Sequence, residues 1–406
     1  MRRVAITGAG VISPLGNSLR DFHRSLVEAR PGIRALPAEI AQGSGVGVAA
    51  PVDWNPAPMF KQGEAANLDR VSQFALAAAS QALAASALDL AAVDRERVGV
   101  YWGTGMGGAH TLEASFKTIY GAGEGRMRPL TVVMAMNNAA GANVAVRHGL
   151  GGPFANFSTA CSSSAMALGE AMRTIAAGRA DAVVAGGAEA LLAPGTLSAW
   201  QALRTLAPGD TDNPAASCKP FDQRRAGLVL GEGGAAFVLE DEAHARARGA
   251  RIHGFLVGYG NSCDAVHMSR PDRGGQARAM RAALEEAGLQ PADIGYINAH
   301  GTATGVGDVV EAQAINAVFA DATPLVSSTK SLHGHLLGGA GALEFAVALR
   351  ALQEGLVAPT AFLEQPDPAI RLRHVPLKAE RIAPPRAVMS NSFAFGGSNV
   401  VLIAGR

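Results

Sequence analysis

A cysteine, a lysine and two histidines stand in motifs whose residue types suit acyl transfer through a thioester. Cys161 lies in Ser158-Thr159-Ala160-Cys161-Ser162-Ser163-Ser164-Ala165, after a β-like run from Phe154 to Ser158 and before a small-residue helical pattern reaching about Ala177. A thiol in the first turn of a helix faces backbone N–H groups without intrahelical partners. It also faces the positive end of the helix dipole, and both favour the thiolate. Taken alone, such a cysteine reads more readily as a small buried hydrophobe. The motifs downstream reverse that.

His300 falls in Asn298-Ala299-His300-Gly301-Thr302-Ala303-Thr304, at the end of an apolar strand. A side chain there projects from the sheet edge into the crevice where open α/β sheets hold ligands. Gly301 and the hydroxyls of Thr302 and Thr304 suit a ligand-facing loop. Lys330 and His335 share Ser327-Ser328-Thr329-Lys330-Ser331-Leu332-His333-Gly334-His335, followed by a helical segment carrying Glu344. His-Gly-His without a nearby acidic ligand is a poor metal pattern. A lysine beside an imidazole instead favours its neutral form, and a salt bridge from Lys330 to Glu344 is compatible with that role. Asn391-Ser392-Phe393-Ala394-Phe395-Gly396-Gly397-Ser398-Asn399 lies between the last two strand patterns, where Phe395 before a glycine pair suits either a gate or a core aromatic.

The elements that position these groups alternate between apolar runs and helical patterns, which indicates an α/β protein. Strands are predicted at Val4–Thr7, Val98–Trp102, Phe154–Ser158, Ala182–Ala185, Ala235–Glu240, Ile252–Tyr259, Ile294–Ala299, Leu325–Ser327, Ala387–Ser392 and Asn399–Ile403. Helices are predicted at Leu19–Glu28, Val71–Ser86, Ala165–Ala177, Gln276–Ala287, Val309–Val318 and Gly341–Gln353. The alanine-rich helices fit enclosure between layers. Gly43–Phe60, Gly121–Arg128 and Ala207–Phe221 have loop composition. The charged segment Glu240–Arg251 divides the chain into residues 1–248, which carry the cysteine, and 249–406, which carry the histidines and the lysine. Gly8-Ala9-Gly10 fails as a dinucleotide fingerprint, because Ser13 and Pro14 stand where a third glycine and a helix start are needed.

The 406 residues are 48% hydrophobic and 17% charged, enough for a large core. A formal net charge of +1 gives no general electrostatic reason to bind nucleic acid or a membrane surface. Cys161, Cys218 and Cys263 form no C-x-x-C pair and no zinc spacing, so neither a disulfide framework nor a structural metal is expected. The N-terminus becomes strand-like at once and no apolar run is long enough for a membrane span, so a cytoplasmic protein is expected.

Thr159-Ala160-Cys161, Gly186-Gly187-Ala188-Glu189, Pro220-Phe221-Asp222 with Gly231-Glu232-Gly233, His300-Gly301-Thr302, Lys330 through His335 and Phe395-Gly396-Gly397 together resemble the elongating β-ketoacyl-[acyl-carrier-protein] synthases of the thiolase superfamily. The resemblance runs from Ile6-Thr7-Gly8 to the last strands. Two histidines separate it from the Cys-His-Asn pattern of the initiating type. It implies a duplicated, five-layered α-β-α-β-α thiolase-like fold, commonly a homodimer, with no cofactor. Cys161 would accept the acyl chain from acyl carrier protein, and the backbone N–H groups of Cys161 and Phe395 would form the oxyanion hole. His300 and His335 would support decarboxylation of malonyl-carrier protein, with Lys330 and Glu344 maintaining their electrostatics. Thr302 and Thr304 match contacts to the phosphopantetheine arm, Met106 a position in the acyl pocket, and Phe395 the gate.

The chain departs from the family pattern at Ala394, usually glycine, at His333, usually threonine, and at Met106, often isoleucine. These departures leave specialised polyketide-like or polyene biosynthesis open beside fatty-acid synthesis. Because the carrier is acidic, Arg126, Arg128 and Arg204 are the docking candidates, with Lys61 and Arg70 weaker. A non-catalytic chain-length-factor-like subunit, an active synthase needing such a partner, and a coenzyme A-dependent thiolase are the alternatives. No cysteine follows Cys263 to serve as the second catalytic thiol of a thiolase.

Overall fold

In this computed structural model, residues 2–121 and 126–406 are described. Of the loop expected at Gly121–Arg128, residues 122–125 lie outside them. Every predicted strand is present, several of them longer than anticipated, such as Val4–Ile12 and Ala182–Glu189.

The strands fall into two sets with the same order. In space, the first set runs Phe154–Phe157, Val98–Gly103, Ala182–Glu189, Gly233–Asp241, Val4–Ile12. The second runs Leu325–Ser327, Ile294–Asn298, Ala387–Phe393, Ser398–Gly405, Phe255–Cys263. Numbered along the chain within each set, both read 3-2-4-5-1, with the first three spatial neighbours parallel and the rest antiparallel. The sets meet where Val4 and Ala5 pair with Leu256 and Phe255, and Arg373–His374 completes the 11-stranded sheet at its outer edge. This repetition is not visible in the residues themselves.

Helices Ser163–Ala176 and Ala340–Glu354 pack against each other and against both strand sets, forming the middle layer. Helix Arg70–Ser86 covers the outside of the first set and Arg273–Ala287 the outside of the second. The result is the five-layered α-β-α-β-α arrangement. Strands covered on both faces read as continuous apolar runs, which is why Val183, Val184, Val400, Val401 and Leu402 are all buried.

Small residues set the layer spacing. A Cβ on Gly8 or Gly10 would lie 2.2 Å from the Ala82 carbonyl oxygen or 2.1 Å from that of Ala78, both in the overlying helix. The glycine pair after the first residues is therefore a packing device within one long strand.

Candidate active site

The strand Phe154–Phe157 ends just before Cys161. Ala160 adopts a φ of 50°, left-handed for a non-glycine residue, and turns the chain into the 3₁₀ turn Ala160–Ser162 that runs on as helix Ser163–Ala176. That conformation costs roughly 1–2 kcal/mol and is sustained by its surroundings. The Ser163 hydroxyl accepts from Thr159 N–H at 2.9 Å and donates to the Ala160 carbonyl at 2.6 Å. Behind it, Gly103 leaves room for the helix start: a Cβ there would sit 2.3 Å from Ser164 N.

Both histidines reach this thiol from the second strand set. His335 Nε2 lies 3.0 Å from Cys161 Sγ, and the donor atoms of Cys161, His300 and His335 all lie within 4.8 Å of one another. The two imidazoles meet edge to face with centroids 5.3 Å apart. Their partners fix the tautomers. Leu337 N–H donates to His335 Nδ1 at 3.3 Å, so the His335 proton is on Nε2. Lys330 Nζ, which can only donate, lies 3.4 Å from His300 Nδ1, so that proton is also on Nε2. Two N–H donors thus converge beside the sulfur.

Lys330 is fully buried, donates to the His300 carbonyl at 2.6 Å and pairs with Glu344, as expected from the sequence. Glu311 fixes the His300 loop from below, accepting from His300 N–H at 2.8 Å and Gly301 N–H at 2.7 Å. Burial, then Lys330, then a second imidazole (His335 for His300, His333 for His335) hold His300 and His335 well below the usual imidazole range. Both are neutral donors at physiological pH. Burial pushes the Cys161 thiol up to about 12, opposed by Lys330 and by the Phe395 N–H aimed at the sulfur. Burial thus opposes the thiolate that the helix terminus favours. Burial also raises the Glu344 carboxyl above its usual range, against the pull of Lys330.

Family models described as "Beta-ketoacyl synthase, N-terminal domain" and "Beta-ketoacyl synthase, C-terminal domain" match residues 1–245 and 253–364. The chain belongs to the beta-ketoacyl synthase family. It is 39% identical to a 3-oxoacyl-[acyl-carrier-protein] synthase 2 of Coxiella burnetii, over 100% of this chain and 99% of the relative. The ishigamide ketosynthase/chain length factor superposes with a TM-score of 0.93 at 33% identity, covering 100% of this chain and 99% of that one. A type II PKS ketosynthase, solved with its acyl-carrier protein and bound to the hexaketide, gives 0.91 at 30% identity, with coverage of 100% and 99%. The duplicated sheet is the thiolase-like fold of these condensing acyltransferases.

In this synthase a cavity of about 540 Å³ opens onto Cys161, His300 and His335 and passes Thr302, Thr304 and Phe395. The Thr302 and Thr304 hydroxyls lie 3.1 Å apart. Trp200, which no local sequence signal marks, stacks on Phe395 at the same cavity. Ala394 has a φ of −109°, which any residue adopts, so its methyl strains nothing in this loop. Met106 is expected in the acyl pocket. It is 42% exposed in the single chain and does not line this cavity; its N–H instead donates to Glu189 at 3.1 Å.

The basic candidates separate. Arg204 lines the catalytic cavity, whereas Arg126, Arg128 and Arg70 line a different depression of about 280 Å³. Arg128 donates to the Ala66 carbonyl at 2.7 Å. Arg70 is committed to Glu232 and the Val52 carbonyl, which makes it structural. Lys61 is exposed.

Proposed function

We propose that this synthase extends an acyl chain held on Cys161 by decarboxylative condensation with malonyl-acyl carrier protein, the carrier entering past Arg204. The observation that carries the reading is the convergence of the Nε2–H donors of His300 and His335 beside the Cys161 sulfur. In the first half-reaction Cys161 attacks the acyl thioester, the Phe395 and Cys161 N–H groups hold the oxyanion, and the carrier's thiol leaves with the proton that Cys161 gives up. In the second, the C–C bond of the malonyl carboxylate breaks and carbon dioxide departs. The electron pair becomes an enolate whose oxygen accepts from His300 and His335. The enolate carbon attacks the acyl-Cys161 carbonyl, the C–S bond breaks, and the thiolate takes a proton from solvent. Removing one such donor typically costs on the order of 100- to 1,000-fold in rate.

Intact-mass measurement after adding acyl carrier protein loaded with an acyl chain tests the first half. Wild-type protein gains the acyl mass and Cys161→Ala does not; acylation of the variant excludes Cys161. Release of carbon dioxide from malonyl-carrier protein tests the second half and separates a synthase from a coenzyme A-dependent thiolase. Condensation by the purified chain alone separates it from a non-catalytic chain-length-factor-like subunit. Donors of varied length and unsaturation decide between fatty-acid synthesis and a specialised pathway.

The same reading takes residues 1–248 and 249–406 as the two halves and includes a homodimer. Phe154–Phe157 is a terminal strand with a single neighbour, and Phe154 is 43% exposed on it, while Val132 and Val133 are 68% and 56% exposed. An unpaired apolar edge of this kind is a template for a second copy. Native mass spectrometry tests it: a dimer supports it, and a pair formed only with a chain-length-factor-like subunit replaces it. Among the described residues no helix is long and apolar enough to cross a membrane. The unpaired cysteines suit a reducing, cytoplasmic setting.

A further inference from the structure

His333 lies between two groups of the site, Lys330 and His335, yet its ring does not enter the catalytic cavity. It is fully buried. Its Nδ1 lies 2.7 Å from the Gly334 carbonyl oxygen, which can only accept, so Nδ1 carries the proton. Its Nε2 lies 2.9 Å from Thr329 Oγ1 and accepts that hydroxyl's proton. Thr329 Oγ1 in turn accepts from Asn298 Nδ2 at 3.4 Å, and Asn298 from its side donates to the Tyr296 hydroxyl at 3.1 Å. The ring therefore joins the strand that precedes His300 to the peptide that precedes His335.

The peptide it holds needs holding. Gly334 has φ 68° and ψ −167°, a region essentially restricted to glycine, and its N–H caps the preceding turn on the Lys330 carbonyl at 2.9 Å. Lys330–His333 is a single helical turn, and the chain must reverse at Gly334 before His335 joins Val229 and Gly231 through its backbone, by hydrogen bonds of 2.7 and 2.9 Å. A threonine at 333 has one short O–H and cannot reach the Thr329 hydroxyl and the Gly334 carbonyl together.

We propose that His333 is a positioning residue: its imidazole staples the Thr329–Gly334 bend and so sets where the His335 Nε2–H points relative to Cys161 Sγ. Burial and the Lys330 charge lower its pKa to about 3, so the ring stays neutral across the working pH range. The proposal rests on the condensing role above and concerns the step that uses His335. Acyl transfer to Cys161 leans on the Phe395 and Cys161 N–H groups and is spared.

The test compares His333→Asn, His333→Gln and His333→Thr with wild type in malonyl-carrier-protein decarboxylation and, separately, in acylation of Cys161. Asn places an N–H near the Nδ1 position and keeps the bond to Gly334; Gln reaches the Nε2 position and loses it. A displacement near 1 Å costs up to roughly 100-fold, so Gln and Thr are expected to lower the decarboxylation kcat about 10- to 100-fold with KM and acylation within about threefold. Asn, which keeps the Gly334 end and loses the Thr329 end, is expected to lose less, about 3- to 10-fold in kcat. Asn and Gln behaving alike, or acylation falling in step with decarboxylation, overturns the proposal. Circular dichroism confirms that each variant is folded, and Thr, small and uncharged, remains a test where the amides disturb packing. Wild-type protein that releases no carbon dioxide would instead remove the condensing role itself.

Discussion

Trp200 and Phe395 lie with their ring planes 20° apart and centroids 6.1 Å apart, one ring on the helix Pro194–Ala202 and the other in the turn between the last two strands. The Phe395 N–H faces Cys161 Sγ. Beyond it, Gly396 and Gly397 have φ of 82° and 75°, and Gly396 N–H donates to the Met268 carbonyl at 2.7 Å. Hinge freedom is concentrated there, because Ala394 lacks the left-handed freedom of glycine.

If the Phe395 loop gates the cavity, removing half of its aromatic pair should loosen it. Such a pair is worth about 0.5–1.5 kcal/mol beyond area burial, a factor of roughly 2 to 10. Trp200→Ala is therefore expected to narrow the preference among acyl donors of different length by about that factor. Trp200→Phe retains most of it. Competitive acylation followed by intact mass measures the preference; an unchanged ratio in Trp200→Ala removes the stack from selection.

Lys330 should matter more to decarboxylation than to acylation. It fixes the His300 tautomer through Nδ1 and holds the His300 carbonyl. Lys330→Ala leaves Glu344 buried without its cation, and breaking a buried pair typically costs about 3–5 kcal/mol. The double variant Lys330→Ala/Glu344→Ala removes both charges and should recover much of that stability while decarboxylation stays depressed by about 100-fold or more. Denaturant titration and carbon dioxide release are the two measurements. Activity returning along with stability would reduce Lys330 to a structural role.

These relationships differ in how far the residues announced them. The apolar runs at Val98–Gly103 and Ala387–Phe393 were legible because strands covered on both faces carry little else. Cys161, His300, Lys330 and His335 were legible because turn glycines and hydroxyl residues surround them. Helix Pro194–Ala202 was not, since its Pro-Gly opening and mixed Ala, Ser and Trp composition carry no clear apolar stripe. Trp200 and Glu311 were missed for a different reason: their partners, Phe395 and the His300 loop, are brought to them only by the assembled layers. The duplicated strand order was hidden because different side chains fill equivalent places.

The acid limb of decarboxylation follows from the neutral imidazoles. His300 and His335 act as N–H donors in their neutral form, and burial keeps that form well below the usual value of 6.5. The folded enzyme binds fewer protons at these rings than the unfolded chain, so stability falls as pH drops below the ordinary imidazole range. The chemistry does not fall with it. Decarboxylation per folded molecule is expected to stay level from about pH 7.5 to about pH 5.5, with the folded fraction measured by circular dichroism at each point. A half-loss centred near an ordinary imidazole value, about 6.5, would show that the rings titrate freely.

A second acid-sensitive device lies away from the thiol. Asp222 is fully buried and accepts from the Arg224 guanidinium at 2.9 and 3.0 Å and from the N–H groups of Gln365, Arg224 and Glu364 at 2.8, 2.9 and 2.9 Å. Burial alone would raise this carboxyl; the guanidinium and the three N–H donors outweigh it and bring it to about 2. A folded value below the unfolded one means stability that is complete above the unfolded pKa and lost as pH falls through about 2. The shift corresponds to about 2 kcal/mol. Asp222→Asn should remove it while leaving the fold, so the stability gap between wild type and variant is expected to shrink by roughly 1 kcal/mol from pH 6 to pH 3. Urea unfolding at the two pH values measures the gap. A difference that does not change with pH would assign the effect of Asp222 to packing and neutral hydrogen bonds, and the carboxylate charge would have no part in holding residues 364 and 365 in place.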